Sequence, residues 1–378
     1  MLVDMKNILF SAVTLDVGGI ETALVTLINY LAQLKDEEQN FMYNITLVLE
    51  KKQGVFLDTI NRRIKIVEYQ PNNNKLILVR KAINFLKQKQ FIRRYKNKFD
   101  FSCCYATYSL PASFVARIAS KNSVLWCHMD YLAQYGGDKE KVKEFFKEKH
   151  YKDFAKLVFV SEKSKNSFLE VFPEMKNKVL HINNLINYEE IEEKSLKKIS
   201  EEELKKIDKK EGQTIFLNYG RHDELQKKIS RLIEAAEKLK ERNKNFKVLL
   251  VGEGVDTPKY KKMIEENKLT DRVIFCGRKK NPFPYVRLAD CVVLTSDYEG
   301  SPVVFTESLI LEKPIITTDV AGSEQIKDKF GYVTKKDSND IFAKMEEFMD
   351  KGFKPKERFN VKKYNEDIIR KVEKIMKG

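Results

Sequence analysis

Short apolar runs alternate with longer amphipathic stretches along the whole chain. The runs are continuous rather than alternating in polarity, which is typical of parallel strands covered on both faces. Seven of them lie in the first half, at 8–15, 45–50, 64–69, 101–106, 123–128, 156–161 and 178–183. Five more lie in the second half, at 214–220, 247–252, 272–277, 291–296 and 314–319.

Helical periodicity lies between these predicted strands. Ile20, Leu24 and Leu31 share one face of a predicted helix, and Leu232, Ala236 and Leu239 share another. Strands that alternate with amphipathic helices predict an α/β fold built from doubly wound parallel sheets.

A charge-rich segment at 188–213 separates the two sets of strands, so we expect the domain boundary there. The predicted organisation is an N-terminal Rossmann-like domain at 1–190, a charged linker at 191–212, a C-terminal Rossmann-like domain at 213–360, and a C-terminal helix at 361–378 that can return to the first domain. Ligands of such sheets bind beyond the carboxyl ends of the strands, so we expect the two domains to face each other across a cleft.

Composition narrows the class of protein. The chain has 378 residues, of which 42% are hydrophobic, and this excludes a mainly disordered protein. Since no apolar run approaches the roughly 20 residues that span a bilayer, we do not expect an integral membrane protein. Met1–Asp4 are expected to be a short preamble to the first strand rather than part of a signal peptide. The net charge of +15 leaves nucleic acid, an anionic membrane and a phosphorylated substrate as partners.

Most of this charge comes from one window. Residues 62–98 contain twelve Lys and Arg but only one acid, Glu68, which gives a net charge of +11. Within this window, 75–99 mixes cations with apolar residues and is predicted to form a basic amphipathic helix. Such a helix could bind an anionic membrane surface through 75–98, or its apolar side could pack on the domain while its cations are solvated.

The five cysteines lie in or beside apolar runs, and none forms a CxxC pair. We expect them to be buried small hydrophobic residues rather than disulfide or zinc ligands, which indicates a reducing cytoplasm.

Two carboxylates, Glu299 and Glu307, are eight positions apart in the segment 296–319. Gly300, Ser301 and Pro302 follow a predicted strand and precede a helical run that begins near residue 303, with the proline in its first turn. The start of such a helix presents free N–H groups to an anionic ligand. The two carboxylates can hold sugar hydroxyls; a capped surface helix is the alternative.

Two cations follow the strand that ends at Gly220. Arg221 and Lys227 bracket a polar loop, and an Arg fork with a Lys point charge suits a diphosphate. Two solvated surface cations are the alternative. Lys228 directly follows Lys227, so the sequence leaves open which lysine is nearer a phosphate.

The first half contributes two further features. Gly18 and Gly19 open the first helix, where only glycine lets the backbone approach a phosphate or sugar closely, and a plain strand–helix turn is the alternative. His128 follows a strand, so it should lie at the carboxyl edge of the first sheet and line the cleft. A hydrogen-bonded histidine at a strand end is the alternative there.

In this order, these features resemble the retaining glycosyltransferases of family 4 (glycosyltransferase group 1), which have the GT-B fold of two Rossmann-like domains. The resemblance is strongest from 214 to 325, through GR at 220–221 with its following lysine, VGEG at 251–254, RVIFCGR at 272–278 and the Glu299…Glu307 pair. It is weaker in the first half, through GGIE at 18–21, WCH at 126–128 and NNLIN at 183–187.

The resemblance implies that the first domain lies on the acceptor side and that the second domain binds the nucleotide sugar. It also implies a role for each matching residue of the second domain. Arg221 and Lys227 would hold the donor diphosphate and stabilise the leaving nucleotide. Glu307 would bind the donor ribose, and Gly277 and Arg278 would lie beside the base.

The remaining roles implied by the resemblance concern the transferred sugar. Glu299 and the backbone of Gly300–Pro302 would contact the sugar and a phosphate. Gly18 and Gly19 would approach the donor phosphates from the first domain, and His128 would line the sugar site and stabilise the transition state. The sequence departs from the family at Glu312, where a glycine is frequent, and this puts the local turn in question.

The expected activity is therefore a metal-independent transfer of a hexose-type sugar from a nucleoside-diphosphate donor to a glycan or lipid-linked acceptor, with retention, in cell-surface polysaccharide or glycolipid synthesis. No cofactor and no bound metal are expected, and the protein is expected in the cytoplasm or on the inner face of the cell membrane. A sugar-nucleotide epimerase of the same fold, a nucleic-acid-binding protein using 62–98, and an inactive sugar-binding homologue are the alternatives.

Overall fold

The computed structural model describes residues 5–16 and 18–377. Met1–Asp4, expected as the preamble, lie outside the described residues, as does Val17 before the Gly-Gly turn. The chain divides into two compact units. Unit 1 contains the residues up to Ile186 and those from Lys363 onward, and unit 2 is Asn187–Lys362.

Unit 1 is built on one parallel sheet. Its strands are β1 Lys6–Ala12, β2 Tyr43–Leu49, β3 Lys65–Glu68, β4 Phe101–Cys104, β5 Ser123–Cys127, β6 Lys156–Phe159 and β7 Val179–His181. Their order across the sheet is β3-β2-β1-β4-β5-β6-β7. The helices are α1 Gly19–Leu31, α2 Ile77–Tyr95, α3 Leu110–Ala119, α4 Tyr131–Gln134, α5 Lys139–Glu148 and α6 Glu162–Val171.

The continuous apolar runs are explained by burial on both faces of this sheet. In β1, Ile8, Leu9 and Phe10 are all fully buried. Ile8 and Phe10 belong to the main core of the unit, whereas Leu9 packs with Phe91 and Val115 on the other face. Because successive side chains of a strand point to opposite faces, a strand covered on both sides needs apolar residues throughout.

Unit 2 is also built on one parallel sheet. Its strands are β8 Thr214–Tyr219, β9 Phe246–Val251, β10 Val273–Gly277, β11 Cys291–Leu294, β12 Ile315–Thr318 and β13 Gly331–Thr334, in the order β10-β9-β8-β11-β12-β13. The helices are α7 Tyr188–Ser195, α8 Glu201–Ile207, α9 Ile229–Glu241, α10 Thr257–Glu266, α11 Phe283–Leu288, α12 Val303–Ile310 and α13 Ser338–Lys351. Phe216 of β8 enters one core and Leu217 enters the other, so this sheet too is covered on both faces.

The segment expected to be a charged linker at 191–212 instead carries most of α7 and all of α8. Ile191 and Ile207 are buried, and Lys206 Nζ donates to the Phe275 carbonyl of β10 at 2.6 Å. A few buried apolar residues therefore attach these two helices, whose other faces are charged. The helices were not predicted because the segment is so rich in charged residues.

Three further differences concern element bounds. The first strand ends at Ala12 rather than at residue 15, and β13 was not predicted because its four residues include Gly331 and Tyr332 and form no long apolar run. Pro302 is the residue before α12 rather than part of its first turn.

The last helix, α14 Val361–Lys377, contributes Ile368, Val372 and Met376 to the core of unit 1.

All five cysteines are free, and four of them are buried. Within residues 5–16 and 18–377, no helix combines the length and apolar character needed to cross a membrane.

Candidate functional site

The site in unit 2 lies where the strand order reverses. β9 and β10 follow β8 on one side, while β11, β12 and β13 lie on the other, so β8 and β11 are the neighbours at the switch. In doubly wound sheets, ligands bind in a crevice beyond the carboxyl ends of the strands at such a switch point. The loop after β8 carries Arg221 and Lys227, and the loop after β11 carries Glu299.

Lys227 and Glu299 meet across this switch point. Lys227 Nζ lies 2.6 Å from Glu299 Oε1, and Ser296 Oγ donates to the same oxygen at 2.8 Å. The Glu299 side chain is only 8% exposed, whereas Lys227 keeps 24% of its side chain accessible. The carboxylate is therefore held inside the loop, and it holds a cation at the surface of the crevice.

Gln226 links the other predicted cation to the same carboxylate. Its Nε2 donates to Glu299 Oε2 at 3.3 Å, and its Oε1 accepts from Arg221 Nη2 at 3.1 Å. Arg221 also lies 3.3 Å from Asp223 Oδ2, and its side chain is 65% exposed. The structure thus brings Arg221, Lys227 and Glu299 together. Gln226 was not predicted as a site residue, although it lies between the two predicted cations.

The neighbouring lysine is oriented differently. Lys228 has a left-handed backbone (φ 49°) and precedes α9. Its Nζ lies 3.9 Å from Glu224 and 4.0 Å from Asp297, while Lys227 holds Glu299. The structure therefore shows that Lys227, and not Lys228, contacts Glu299, which the sequence alone could not determine.

Glu307 lies in the second turn of α12 and is separate from the Glu299 cluster. The Tyr219 hydroxyl, at the end of β8, donates to Glu307 Oε2 at 2.9 Å. Burial raises the pKa of the half-buried Glu307 carboxyl to about 7, and the hydrogen bond from Tyr219 acts against that shift. Tyr219 was also missed, and its place at the last position of a strand beside the switch point is the signal that could have found it.

The segment from Glu299 to α12 follows β11, so its backbone lies at the carboxyl end of the same sheet. Pro302 is buried and extended, Ser301 is partly exposed, and α12 begins at Val303. Gly300 precedes them in the loop. The first amides of a helix have no partner within it, so they are available to an anion.

The predicted base-side residues follow β10. Gly277 has a left-handed backbone (φ 69°), and a Cβ there would meet Glu253 Oε1 at 3.5 Å. Arg278 is exposed. Nearby, His222 is fully buried, its Nδ1 lies 2.9 Å from Thr257 Oγ1, and burial lowers its pKa. His222 was not among the predicted site residues.

The glycines of the VGEG segment let two backbones meet. A Cβ on Gly252 would lie 1.8 Å from the Gly220 carbonyl oxygen, and one on Gly254 would lie 2.1 Å from that of His222. These glycines are therefore required for packing between the loops after β8 and β9.

The predicted residues of unit 1 are considered within that unit. Gly18 is the residue before α1, Gly19 is its first residue, and the Gly18 carbonyl accepts from Thr22 Oγ1 at 2.9 Å. His128 follows β5, is 7% exposed and packs against Tyr105, with the two ring centroids 4.4 Å apart. Burial lowers the pKa of His128 to about 3, so the ring is neutral. Its Nε2 has no hydrogen-bond partner among the described residues.

Comparison with known proteins agrees with this architecture. The chain is 27% identical over 172 residues to an uncharacterized glycosyltransferase of Methanocaldococcus jannaschii, a match that covers 45% of this chain and 41% of the relative. It is 26% identical over 191 residues to the N-acetylgalactosamine-N,N'-diacetylbacillosaminyl-diphospho-undecaprenol 4-alpha-N-acetylgalactosaminyltransferase of Campylobacter jejuni, covering 48% of each protein. The matches thus span less than half the length of these curated relatives.

A solved structure covers nearly the whole chain. The Anabaena protein HepE, crystallised in complex with UDP, superimposes with a TM-score of 0.74 at 15% identity, covering 98% of this chain and 100% of that one. At this identity the likeness concerns the fold, and it confirms the predicted GT-B architecture of two parallel α/β sheets.

The family model "Glycosyl transferases group 1" matches residues 199–367, which include the whole switch-point site. The prediction of a transferase is confirmed at the level of this domain, while assignment to the retaining family 4 stays a prediction. Residues 199–367 therefore form a domain that is similar to the glycosyl transferases group 1 family.

Proposed function

We propose that this chain transfers a hexose-type sugar from a nucleoside-diphosphate donor to a glycan or lipid-linked acceptor, in the synthesis of a cell-surface polysaccharide or glycolipid. The observation that carries the proposal is the contact between Lys227 and Glu299 at the switch point, with Arg221 joined to the same carboxylate through Gln226. This arrangement holds two cations beside one anchored carboxylate in a domain of the group 1 family.

The two cations suit the leaving group. An ammonium has three N–H donors, so Lys227 can hold Glu299 and still donate to phosphate oxygens. Arg221 is exposed and adds a planar donor fork. Negative charge that accumulates on the departing diphosphate is met by groups already in place. We therefore propose that these side chains do the work for which other transferases use a divalent metal.

The two glutamates suit the two sugars of the donor. Tyr219 occupies Glu307 Oε2, which leaves Oε1 to accept from a ribose hydroxyl. Glu299 and the backbone of 300–302 are assigned to the transferred sugar and a phosphate. Gly277 and Arg278 are assigned to the base.

In unit 1 we assign His128 to the sugar and the Gly18-Gly19 turn to the donor phosphates, as the family resemblance implies. The low pKa of His128 means that its contribution comes from a neutral ring with an unpartnered Nε2. Retention of configuration is part of this proposal and follows from the resemblance. We place the protein in the cytoplasm, where its five cysteines stay reduced.

The experiment first screens nucleotide sugars by thermal stabilisation and then measures transfer of the stabilising donor to acceptors. Binding by the native state alone raises the melting temperature in a concentration-dependent way. We expect Arg221→Ala and Glu307→Ala each to lose transfer by about 100-fold or more, while Arg242→Ala, an exposed arginine of the same unit, keeps it. Transfer is expected to persist in EDTA.

Three outcomes would overturn the proposal. Full activity of both site variants would remove the assigned site. Loss of transfer in EDTA with recovery on adding a divalent metal would remove the metal-free mechanism. Conversion of the donor sugar without any acceptor, and without hydrolysis, would instead identify an epimerase.

A further inference from the structure

Helix α2 is attached to unit 1 along one face. Asn84 Nδ2 donates to the Asn72 carbonyl at 3.1 Å, and Asn72 N donates to Asn84 Oδ1 at 2.6 Å. Lys87 Nζ donates to a backbone carbonyl at 2.8 Å, and Phe91 and Tyr95 are the two buried residues of the helix. Positions three or four apart share a helix face, so these contacts define the attached face.

Large apolar side chains project from the opposite half of α2. Leu78 is 82% exposed, Phe85 is 54% exposed and Leu86 is 65% exposed. Two neighbours at the start of the helix, Leu76 and Ile77, are also exposed. The sequence left open whether the apolar side of this helix packs on the domain, and for these residues the structure excludes it. Contiguous exposed apolar side chains of this size mark an interaction surface.

Cations surround this apolar surface without being neutralised. Lys81, Lys89 and Arg93 of α2 are exposed, and within residues 5–16 and 18–377 none of them forms an ion pair with a carboxylate. Lys89 Nζ lies 4.8 Å from the centroid of the Phe85 ring, so charge and apolar surface are interleaved. Glu68 is the only acid in the window 62–98.

We propose that α2 docks on an anionic phospholipid bilayer, with Leu78, Phe85 and Leu86 at the boundary between headgroups and acyl chains and the cations on lipid phosphates. Apolar burial and attraction to anionic headgroups act together in helices that lie in a membrane interface. A second copy of this chain fits poorly, because two windows of charge +11 would repel each other. Nucleic acid would use the cations and leave the apolar side chains in water. The proposal goes beyond sugar transfer and holds whatever the donor is.

The test is co-sedimentation of the full chain with vesicles of phosphatidylcholine alone and of phosphatidylcholine mixed with phosphatidylglycerol. We expect binding to the mixed vesicles only. The apolar triple variant Leu78→Ser/Phe85→Ser/Leu86→Ser should bind them about tenfold or more weakly. The charge triple variant Lys81→Gln/Lys89→Gln/Arg93→Gln should lose about as much, since each cation near an anionic leaflet contributes.

The matched control is Leu196→Ser/Val255→Ser, which removes two exposed apolar side chains of unit 2, 66% and 88% exposed, and should bind as the unmodified chain does. All altered residues are exposed, so circular dichroism and thermal unfolding should be unchanged in every variant. If the apolar triple variant binds normally while the charge variant fails, α2 is an electrostatic polyanion surface and the proposal is wrong. Equal binding to neutral vesicles, or equal loss in the control, would also overturn it.

Discussion

The ammonium of Lys227 lies 2.6 Å from Oε1 of Glu299, although the two residues are 72 positions apart in the chain. The backbone of Lys227 is tied to the same loop, because Thr295 Oγ1 donates to its carbonyl oxygen at 2.9 Å. Asp297 N donates to the carbonyl of Gln226 at 2.8 Å. The loops after β8 and β11 are therefore joined by backbone and side-chain bonds, and the position of the Lys227 cation is set before any ligand arrives.

The first prediction uses the two adjacent lysines as a matched pair. Lys227→Asn removes the cation held by Glu299, and we expect kcat/KM for transfer to fall by about 100-fold or more because charge on the leaving group is no longer met. Lys228→Asn removes a neighbouring cation, and asparagine tolerates the left-handed backbone there, so we expect a change of about threefold or less. Steady-state kinetics with the donor from the thermal screen gives both values.

Equal losses in the two asparagine variants would show that only the total charge of the loop matters. A larger loss in Lys228→Asn would reverse the assignment of the phosphate-binding lysine. Lys228→Asn should unfold at the denaturant concentration of the unmodified chain, whereas Lys227→Asn should unfold at a lower one, because it leaves the Glu299 carboxylate without its ion pair.

The second prediction concerns the Glu307 carboxyl, whose pKa is raised to about 7 by burial. An acid whose pKa is higher in the folded state binds more protons there, so stability falls as pH rises from about 4.5 to 7. The Glu307→Gln variant keeps an oxygen that can accept from Tyr219 but cannot ionise. We expect it to gain about 3 kcal/mol of unfolding free energy relative to the unmodified chain between pH 4.5 and pH 8.

Urea unfolding at several pH values measures that difference. A constant difference between the two proteins across this range would mean that the Glu307 carboxyl titrates normally. Glu253→Gln is the control, because it removes an exposed carboxyl group of the same unit.

Most of the fold and part of the site follow from local patterns. Twelve of the thirteen strands produce apolar runs, and the site residues after β8 and β11 follow from the rule for switch points. Gln226 and Tyr219 could not be predicted in this way, because their roles depend on side-chain contacts 73 and 88 positions away. The helices at 188–195 and 201–207 were missed since each has few apolar anchors in a highly charged sequence.

The third prediction concerns His128 in unit 1. Its pKa is lowered to about 3 by burial, so the folded state stays neutral while the unfolded chain takes up a proton below about pH 6.5. Stability contributed by the neutral ring is therefore present above that pH and is lost as pH falls. Between pH 7.5 and pH 4.5, we expect the unfolding free energy of the unmodified chain to fall by about 2–3 kcal/mol more than that of His128→Gln.

The reference for His128 is another histidine of the same unit. His150→Gln is the matched control, because it removes a histidine whose side chain is 59% exposed rather than buried. Parallel acid curves for the unmodified chain and His128→Gln would show that the buried ring is protonated in the folded state.

The last prediction follows from the residue at which the sequence departs from the family that it resembles. Glu312 follows α12 with a left-handed backbone (φ 57°), and Lys313 N donates to the Ser308 carbonyl at 2.9 Å, which closes the end of the helix. This geometry favours glycine, because the left-handed region costs other residues about 1–2 kcal/mol. Glutamate gains only an ion pair with Arg358 at 2.8 Å, and both side chains are mostly exposed, so that pair contributes little.

We therefore expect Glu312→Gly to raise the unfolding free energy by about 0.5–1 kcal/mol, after allowing for the greater entropy of glycine in the unfolded chain. Glu312→Ala separates the two contributions, since it also removes the pair with Arg358 but keeps the Cβ that strains the turn. In urea unfolding, Glu312→Ala should leave the unfolding free energy unchanged or slightly lower. Only Glu312→Gly should stabilise the chain. If both variants were equally stable, the backbone at this position would carry no strain, and the chain would lose nothing by having glutamate where a glycine is frequent in the family that it resembles.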